Sequence, residues 1–302
     1  GPASAAYEGL QRRLGSDHSL ALRAASNYAN ALFLSGEFRR AASLEKDTLS
    51  RWLAQAGRRH DATWLSAAAL GRYLHHLGDH QAAIGLLEKA KDALATRHRG
   101  ARVAAILRDL AAIHRIRGEY DRARKLDEDG LEQRRSEADP TQSQWEYFAC
   151  QLALAHDEYL LGNPARAVEL AEQLRAEYDE LAPGHPCGHL YLLNLGVFQY
   201  AAGLWAQAAQ GIRLAFDGLR DRLGIHHPWS LAAAANLRAL AFASDMATSD
   251  VPDLTGVGQD CRQQLGEHHP FTRKALHNDR MIERGVGPAD HSDLQWILVD
   301  LP

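Results

Sequence analysis

A pair of small residues recurs along this chain: a glycine is followed five positions later by an alanine. The five pairs are Gly36/Ala41, Gly78/Ala83, Gly118/Ala123, Gly162/Ala167 and Gly203/Ala208. They are almost evenly spaced, and a fixed period of roughly 20–50 residues is typical of stacked supersecondary units that each contact only their neighbours. The sequence therefore predicts a repeat array rather than a globule built around one central site.

Histidines recur with the same period as the glycines. Four stand at one constant distance before the glycine position of their unit, and a fifth continues the series one period later. They are His18, His60, His185, His227 and His269. Proline follows the last three, and proline is favoured at the first position of a helix. We therefore predict that these histidines have a structural role at helix starts and do not bind a metal.

Each period contains two apolar stretches with helical spacing. The first ends at the glycine, which tolerates the left-handed backbone that follows a last helical turn, and the second begins two or three residues beyond. The alanine of each pair falls where the two helices cross and lets them approach closely. A large residue two after the glycine is expected to fill the gap between hairpins: Phe38, His80, Tyr120 and Trp205. The predicted first helices include 24–35, 66–77, 104–117 and 231–242, and the second helices are 38–53, 81–95, 120–134, 165–181 and 206–223.

The pattern decays toward the C terminus. Asp245 and Asp250 replace the glycine and the alanine of the sixth unit, so we expect a loop there and a short helix near 259–265. The seventh unit keeps one capping helix, to about Arg284. We assign residues 1–9 to a protease-cleavage scar and leader, 10–284 to the array with its degraded unit at 245–265, and 285–302 to an apolar tail. That tail, around Trp296–Val299, has three interpretations: packing on the last helix, occupying a groove as a peptide, or disorder.

Composition excludes several classes of function. The formal net charge is −4 and the isoelectric point about 6.5, so no electrostatic attraction to nucleic acid or an anionic membrane is expected. No run of about 18 apolar residues predicts a membrane span. The three cysteines, Cys150, Cys187 and Cys261, are far apart and odd in number, which favours reduced thiols and a cytoplasmic location.

The motif Gly-x-aromatic-x-x-Ala resembles the tetratricopeptide repeat. The 42-residue period with Leu-Gly-x-x-His-Pro, at 223–228 and 265–270, is similar to the long kinesin-light-chain type. The stretch 125–135 resembles bacterial members, which include the arrays of STAND ATPases and the repeat protein of FxSxx-COOH peptide-maturation systems. The resemblance implies an all-α, right-handed superhelical solenoid of antiparallel helix pairs, with about six hairpins and a capping helix.

The resemblance also implies that first helices line a concave groove. The facing positions lie nine, six and three residues before each glycine. An asparagine there binds peptide backbone in the family, which carries over to Asn27, Asn194 and Asn236, since one amide offers both a donor and an acceptor. The candidate peptide-binding residues are Asn27, Asn30, Arg72, His75, Arg115, Tyr159, Asn194, Tyr200 and Asn236.

No catalytic constellation stands out. His156 and Asp157 are adjacent on a helix and do not face one another, and His185 near Cys187 is already explained by the repeat. We therefore predict a non-enzymatic protein without cofactor or metal. It binds a peptide or partner protein, or its own tail, in signalling or peptide maturation. The alternatives are a sensor array of a larger STAND-type ATPase, an accessory subunit of a ribosomal-peptide-modifying enzyme, and a self-assembling scaffold.

Overall fold

A computed structural model describes residues 1–96, 100–135, 144–175, 178, 185–243, 253–285 and 293–301. Their regular structure is helical, with fourteen α-helices and one 3₁₀ turn at Gly57–Arg59. The helices are α1 Pro2–Leu14, α2 Ser19–Leu34, α3 Phe38–Ala56, α4 Asp61–His76, α5 His80–Ala95, α6 Gly100–Ile116, α7 Tyr120–Arg135, α8 Gln144–Leu160, α9 Pro164–Gln173, α10 Pro186–Ala201, α11 Trp205–Leu223, α12 Pro228–Ala243, α13 Val257–Leu265 and α14 Pro270–Glu283.

The helices form sequential antiparallel pairs, as the period predicts. Helices α2 and α3, α4 and α5, α8 and α9, and α10 and α11 pack on one another, and so do α13 and α14. The chain divides into two compact units. The first comprises Gly1–Ile113 with Glu132–Ala138, and the second His114–Leu131 with Asp139–Pro302. The predicted all-α fold is confirmed, including the short helix of the degraded unit.

The glycine–alanine pairs have the predicted geometry. All five glycines have φ between 75° and 87°, a left-handed backbone that disfavours other residues. The five alanines are fully buried. At the crossing of α4 and α5, a Cβ on Gly71 would lie 2.8 Å from Leu87 Cγ and 3.3 Å from the carbonyl oxygen of Ala83. The two backbones therefore approach as closely as small side chains permit.

The periodic histidines cap the helices that follow them. In each, the ring Nδ1 accepts a hydrogen bond from the backbone N–H two residues later, at 3.1–3.2 Å. The acceptors are His18, His60, His185, His227 and His269. This bond satisfies one of the N–H groups that a helix start leaves without a partner. The predicted structural role of these residues is confirmed.

The large residue two after the glycine does not always fill a gap. Phe38 does, since it is buried against Phe33 and His76. For Trp205 the prediction is wrong, because its side chain is 66% exposed. The neighbouring Leu204 packs against the core instead, and residues 205–207 at the start of α11 are exposed.

Two stretches of the chain differ from the sequence expectation, one at the N terminus and one in the middle of the array. Residues 2–9, assigned to a scar and leader, belong to α1, where a proline at the helix start and several alanines favour helix. The predicted helix 165–181 is observed over Pro164–Gln173. Its continuation over 176–177 and 179–181 lies outside the described residues, and so do positions 245–252 of the degraded unit and 286–292 of the tail.

Candidate functional site

The end of the chain forms the most distinctive site of the second unit. Residues 294–301, called the C-terminal segment below, have no regular secondary structure and lie across α10, α12 and α14, the first helices of their pairs. Asn194, Asn236 and Asn278 stand at the same position of these three helices, one full period apart from one another. The segment therefore crosses a groove that the repeat itself builds.

Each of the three asparagines binds one residue of the segment through both its backbone N–H and its backbone C=O. The amide Nδ2 donates to the carbonyl oxygen, and the amide Oδ1 accepts from the N–H. The pairs are Asn194 with Val299 (2.8 and 3.0 Å), Asn236 with Ile297 (2.7 and 2.8 Å) and Asn278 with Gln295 (2.8 and 2.8 Å). We call this set the asparagine ladder.

The ladder is possible because two periods match. In an extended chain, the N–H and C=O of one residue point to the same side, and those of the next residue point to the other side. Every second residue of the segment therefore meets an asparagine, and one period of the array corresponds to two residues of the segment. The segment runs opposite to the order of the helices, since the asparagine nearest the N terminus binds the residue nearest the C terminus.

Apolar side chains of the segment are part of the core of the second unit. Ile297 is fully buried, and Val299 and Leu301 are nearly so. They belong to the same cluster as Leu237 and Trp229. The segment is thus held by burial of its side chains as well as by the hydrogen bonds of the ladder. The sequence left open whether the tail packs on the last helix or occupies a groove, and the observed contacts fit both descriptions.

An aromatic contact lies near one end of the segment. The ring of Trp296 packs against that of Tyr200, with 4.5 Å between centroids. The Nζ of Lys274 donates a hydrogen bond to the carbonyl oxygen of Trp296 at 2.8 Å. Burial lowers the pKa of Lys274 to about 8.

A buried cluster of charges lies at the other end. Arg115 is 3% exposed, and one guanidinium nitrogen donates to Asp127 at 2.5 Å and to Asp157 at 2.8 Å. Its other terminal nitrogen donates to the carboxylate of Asp300, in the segment, at 2.6 Å. The ring Nδ1 of His156 lies 3.3 Å from the same carboxylate oxygen.

The cluster holds more carboxylates than cations, and burial affects the pKa of Asp127, Arg115 and His156. Burial raises the pKa of Asp127 well above its usual range, although Arg115 opposes the shift. Burial alone lowers the pKa of Arg115, and the charges of Asp300, Asp127 and Asp157 more than reverse that effect. Burial also lowers the pKa of His156.

The first unit has a cavity of about 830 Å³ that includes two predicted binding residues, Asn27 and Arg72. Arg72 donates through Nε to both carboxylate oxygens of Asp109 at 3.0 Å. Glu45, fully buried at the cavity wall, accepts hydrogen bonds from two serines. Burial raises the pKa of Glu45 to about 7.

The nine predicted binding residues therefore fall into separate groups. Four meet the C-terminal segment: Arg115, Asn194, Tyr200 and Asn236. Asn27 and Arg72 line the first-unit cavity, and Asn30 is exposed. His75 is buried with its Nδ1 3.3 Å from that of His80. Tyr159 packs on Phe198, and its burial raises its pKa to about 12.

Sequence reasoning missed two residues that hold the segment, Asn278 and Lys274. A signal for Asn278 was present, because it continues the spacing set by Asn194 and Asn236. The last unit keeps a single helix in the sequence, which predicts a cap and gives no indication that this helix continues the groove. Lys274 has no counterpart that would have indicated its contact with a main-chain oxygen.

Among the described residues, no group of three or more histidine, cysteine, aspartate or glutamate side chains is placed to hold a metal ion. None of the described helices is both long and apolar enough to cross a membrane.

Paired helices with a groove along their first members define a helical-repeat protein. Residues 61–136 match the family model described as tetratricopeptide repeat. The match spans helices α4 to α7 and agrees with the resemblance predicted from the glycine–alanine motif. No curated protein sequence matches it.

Several solved structures are similar to this chain, although they have little sequence in common with it. BtubC (BKLC) from P. vanneervenii is 22% identical with a TM-score of 0.54, over 74% of this chain and 90% of that one. The Rap conjugation gene regulator of plasmid pLS20, in complex with the Phr* peptide, is 13% identical with a TM-score of 0.64, over 93% and 79%. A kinesin light chain repeat protein of Podosopora anserina is 22% identical with a TM-score of 0.48, over 66% and 95%.

Proposed function

We propose that this protein is a non-catalytic scaffold that binds an extended segment of a peptide or partner protein in the groove of its second unit. The observation that supports the proposal is the asparagine ladder. Three amides, Asn194, Asn236 and Asn278, hold three alternate residues of one extended segment by main-chain atoms alone. A site of this kind accepts any extended chain whose side chains fit the groove.

The C-terminal segment occupies that groove in the structure, so we take it as an internal stand-in for the ligand. Main-chain recognition gives affinity, and pockets for individual side chains add selectivity. The fold gives independent but general support, since the Rap regulator of the same fold is described in complex with a peptide. Asn27, Asn30 and Arg72 are proposed as secondary contacts in the first unit.

The cellular setting is proposed from the sequence resemblance. It is bacterial signalling or peptide maturation, as a separate scaffold, as the sensor array of a larger STAND-type ATPase, or as an accessory subunit of a peptide-modifying enzyme. We propose the cytoplasm as its location, which the three buried cysteines, not joined by a disulfide, support.

The ladder predicts which main-chain atoms of a peptide matter. The probe is a fluorescein-labelled peptide with the sequence of residues 293–302, and its binding is measured by anisotropy. The host is the full chain with Ile297→Asp, since a carboxylate at that fully buried position disfavours docking of the attached segment. Circular dichroism confirms that this host keeps its helices, and the wild-type chain is measured beside it.

Methylating the peptide nitrogen at the position of Ile297 removes the donor that Asn236 accepts. It is expected to weaken binding about tenfold or more, in the range of one lost hydrogen bond and one unsatisfied buried amide. Methylation at the position of Leu298, whose N–H meets no asparagine of the ladder, is the matched control. Equal effects of the two methyl groups, or no binding to either host at millimolar peptide, would refute the proposal.

A further inference from the structure

We infer that the groove of the second unit selects peptides with an aromatic side chain followed four residues later by a carboxylate, and that the C-terminal segment competes with such peptides as an internal copy. This inference rests on the proposed function and names the class of ligand. It follows from what lies at the two ends of the ladder, where polar and aromatic side-chain contacts add to those of the main chain and of the buried apolar side chains.

The ladder alone cannot fix which residues of a peptide are bound. Its three asparagines are equivalent, so a peptide shifted by two residues offers them the same N–H and C=O groups. Side-chain contacts must therefore set the register. Among the described residues, the polar and aromatic side-chain contacts of the segment lie at Trp296 and at Asp300.

The carboxylate site is built into the protein. Arg115 is held by Asp127 and Asp157 and directs its second terminal nitrogen to Asp300. Those two partners are almost completely buried, whereas Asp300 is 27% exposed. Arg115 is thus fixed from the protein side with one donor facing the groove, and a carboxylate from another chain has the same access as Asp300.

The aromatic site lies four residues away along the segment. Tyr200 provides a ring face for Trp296, and Lys274 holds the carbonyl oxygen of the same residue. Four residues of extended chain span about 13 Å. A peptide that places its aromatic residue on Tyr200 therefore brings the residue four positions later to Arg115. Its main chain then meets the three asparagines of the ladder in the same register as the C-terminal segment.

Competition by the attached segment follows from its tether. Positions 284–293 join α14 to the segment, and a short linker gives an attached ligand an effective concentration in the millimolar range. An external peptide of equal affinity must reach that concentration to displace it. A partner with additional contacts displaces the segment at a lower concentration.

The experiment uses the full chain labelled with 5-fluorotryptophan and follows displacement of Trp296 by ¹⁹F NMR. The chain has six tryptophans, and a Trp296→Phe variant assigns the resonance. Three unlabelled peptides are titrated: the sequence of residues 293–302, the same peptide with Asp300→Asn, and a control with Asp293→Asn. Both substitutions remove one charge, but only Asp300 contacts Arg115.

The expected result is that the parent and Asp293→Asn peptides displace Trp296 at similar concentrations, whereas the Asp300→Asn peptide requires at least tenfold more. The converse also holds: a full chain with Asp300→Asn releases Trp296 to the parent peptide at about tenfold lower concentration. Displacement by all three peptides at one concentration would overturn the inference and leave the proposed function standing. Failure of every peptide on both chains would overturn the proposed function as well.

Discussion

Replacing Asn236 by alanine is expected to release the C-terminal segment without unfolding the array. The variant loses two hydrogen bonds to Ile297, each worth about 1 kcal/mol net, from a residue that is fully buried. It also leaves the N–H and C=O of Ile297 without partners in an apolar environment, which costs about 1–3 kcal/mol for each group. Because water enters the vacated space in part, we expect a total of about 2–4 kcal/mol.

Hydrogen exchange is the measurement that isolates this effect. At a factor of ten per 1.4 kcal/mol, the amides of Ile297 and Val299 are expected to exchange about 30- to 1000-fold faster in the variant, if they open by local undocking. The amides of α4 and α5, in the other unit, should keep the rates of the wild type. Asn27→Ala is the control, because Asn27 is exposed on the equivalent face and surface substitutions change stability by about 0.5 kcal/mol or less.

Unchanged exchange in the segment of the Asn236→Ala chain would contradict this expectation. A uniform acceleration in both units would refute it too, since it would mean that the segment does not undock by itself. Asn236→Asp separates the two bonds, because it keeps an acceptor for the N–H of Ile297 and sets a carboxylate oxygen against the C=O. It should behave more like alanine than like asparagine.

Three other substitutions test the array itself by urea denaturation. Burial raises the pKa of Glu45 from about 4.5 to about 7, so the free energy of unfolding of the wild type falls as pH rises between these two values. Glu45→Gln removes that loss and should gain about 2–3 kcal/mol of stability over wild type between pH 5 and pH 8. An identical gain in exposed Glu88→Gln would contradict this expectation. His227→Ala should cost about 0.5–2 kcal/mol by loss of a cap, which His227→Asn should largely restore. Ala83→Leu should cost about 1–3 kcal/mol by overpacking, and a similar cost for exposed Ala82→Leu would exclude that cause.

The fold was predictable because its signals are local and repeated. A left-handed glycine, a crossing alanine and a capping histidine each act within one hairpin, so a single period of the sequence contains them all. Trp205 shows the limit of the period. Its position matched that of Phe38, but burial depends on which neighbour reaches the core, and Leu204 does so instead.

The site was predictable in part. The position of Asn194 and Asn236 indicated contact with a main chain, yet their partners lie 105 and 61 residues away, which no local pattern encodes. The three-way binding of Arg115 was equally hidden, because an arginine on a helix is usually exposed and its burial depends on Asp127 and Asp157 from two other helices. Neighbouring residues of a helix are not expected to face one another, yet His156 and Asp157 both contribute to the charge cluster, because Asp300 from the segment and Arg115 from another helix connect them.

Each hairpin of the groove supplies one asparagine, and successive asparagines bind every second residue of the segment. The number of hairpins therefore determines the length of peptide that is bound. One hairpin corresponds to two residues of the peptide, a distance of about 6.6 Å in an extended chain. Duplication of one hairpin with its asparagine would lengthen the bound stretch by two residues, and deletion would shorten it by the same amount. Relatives of this protein that differ by whole hairpins are thus expected to prefer peptides whose side-chain anchors differ in separation by even numbers of residues.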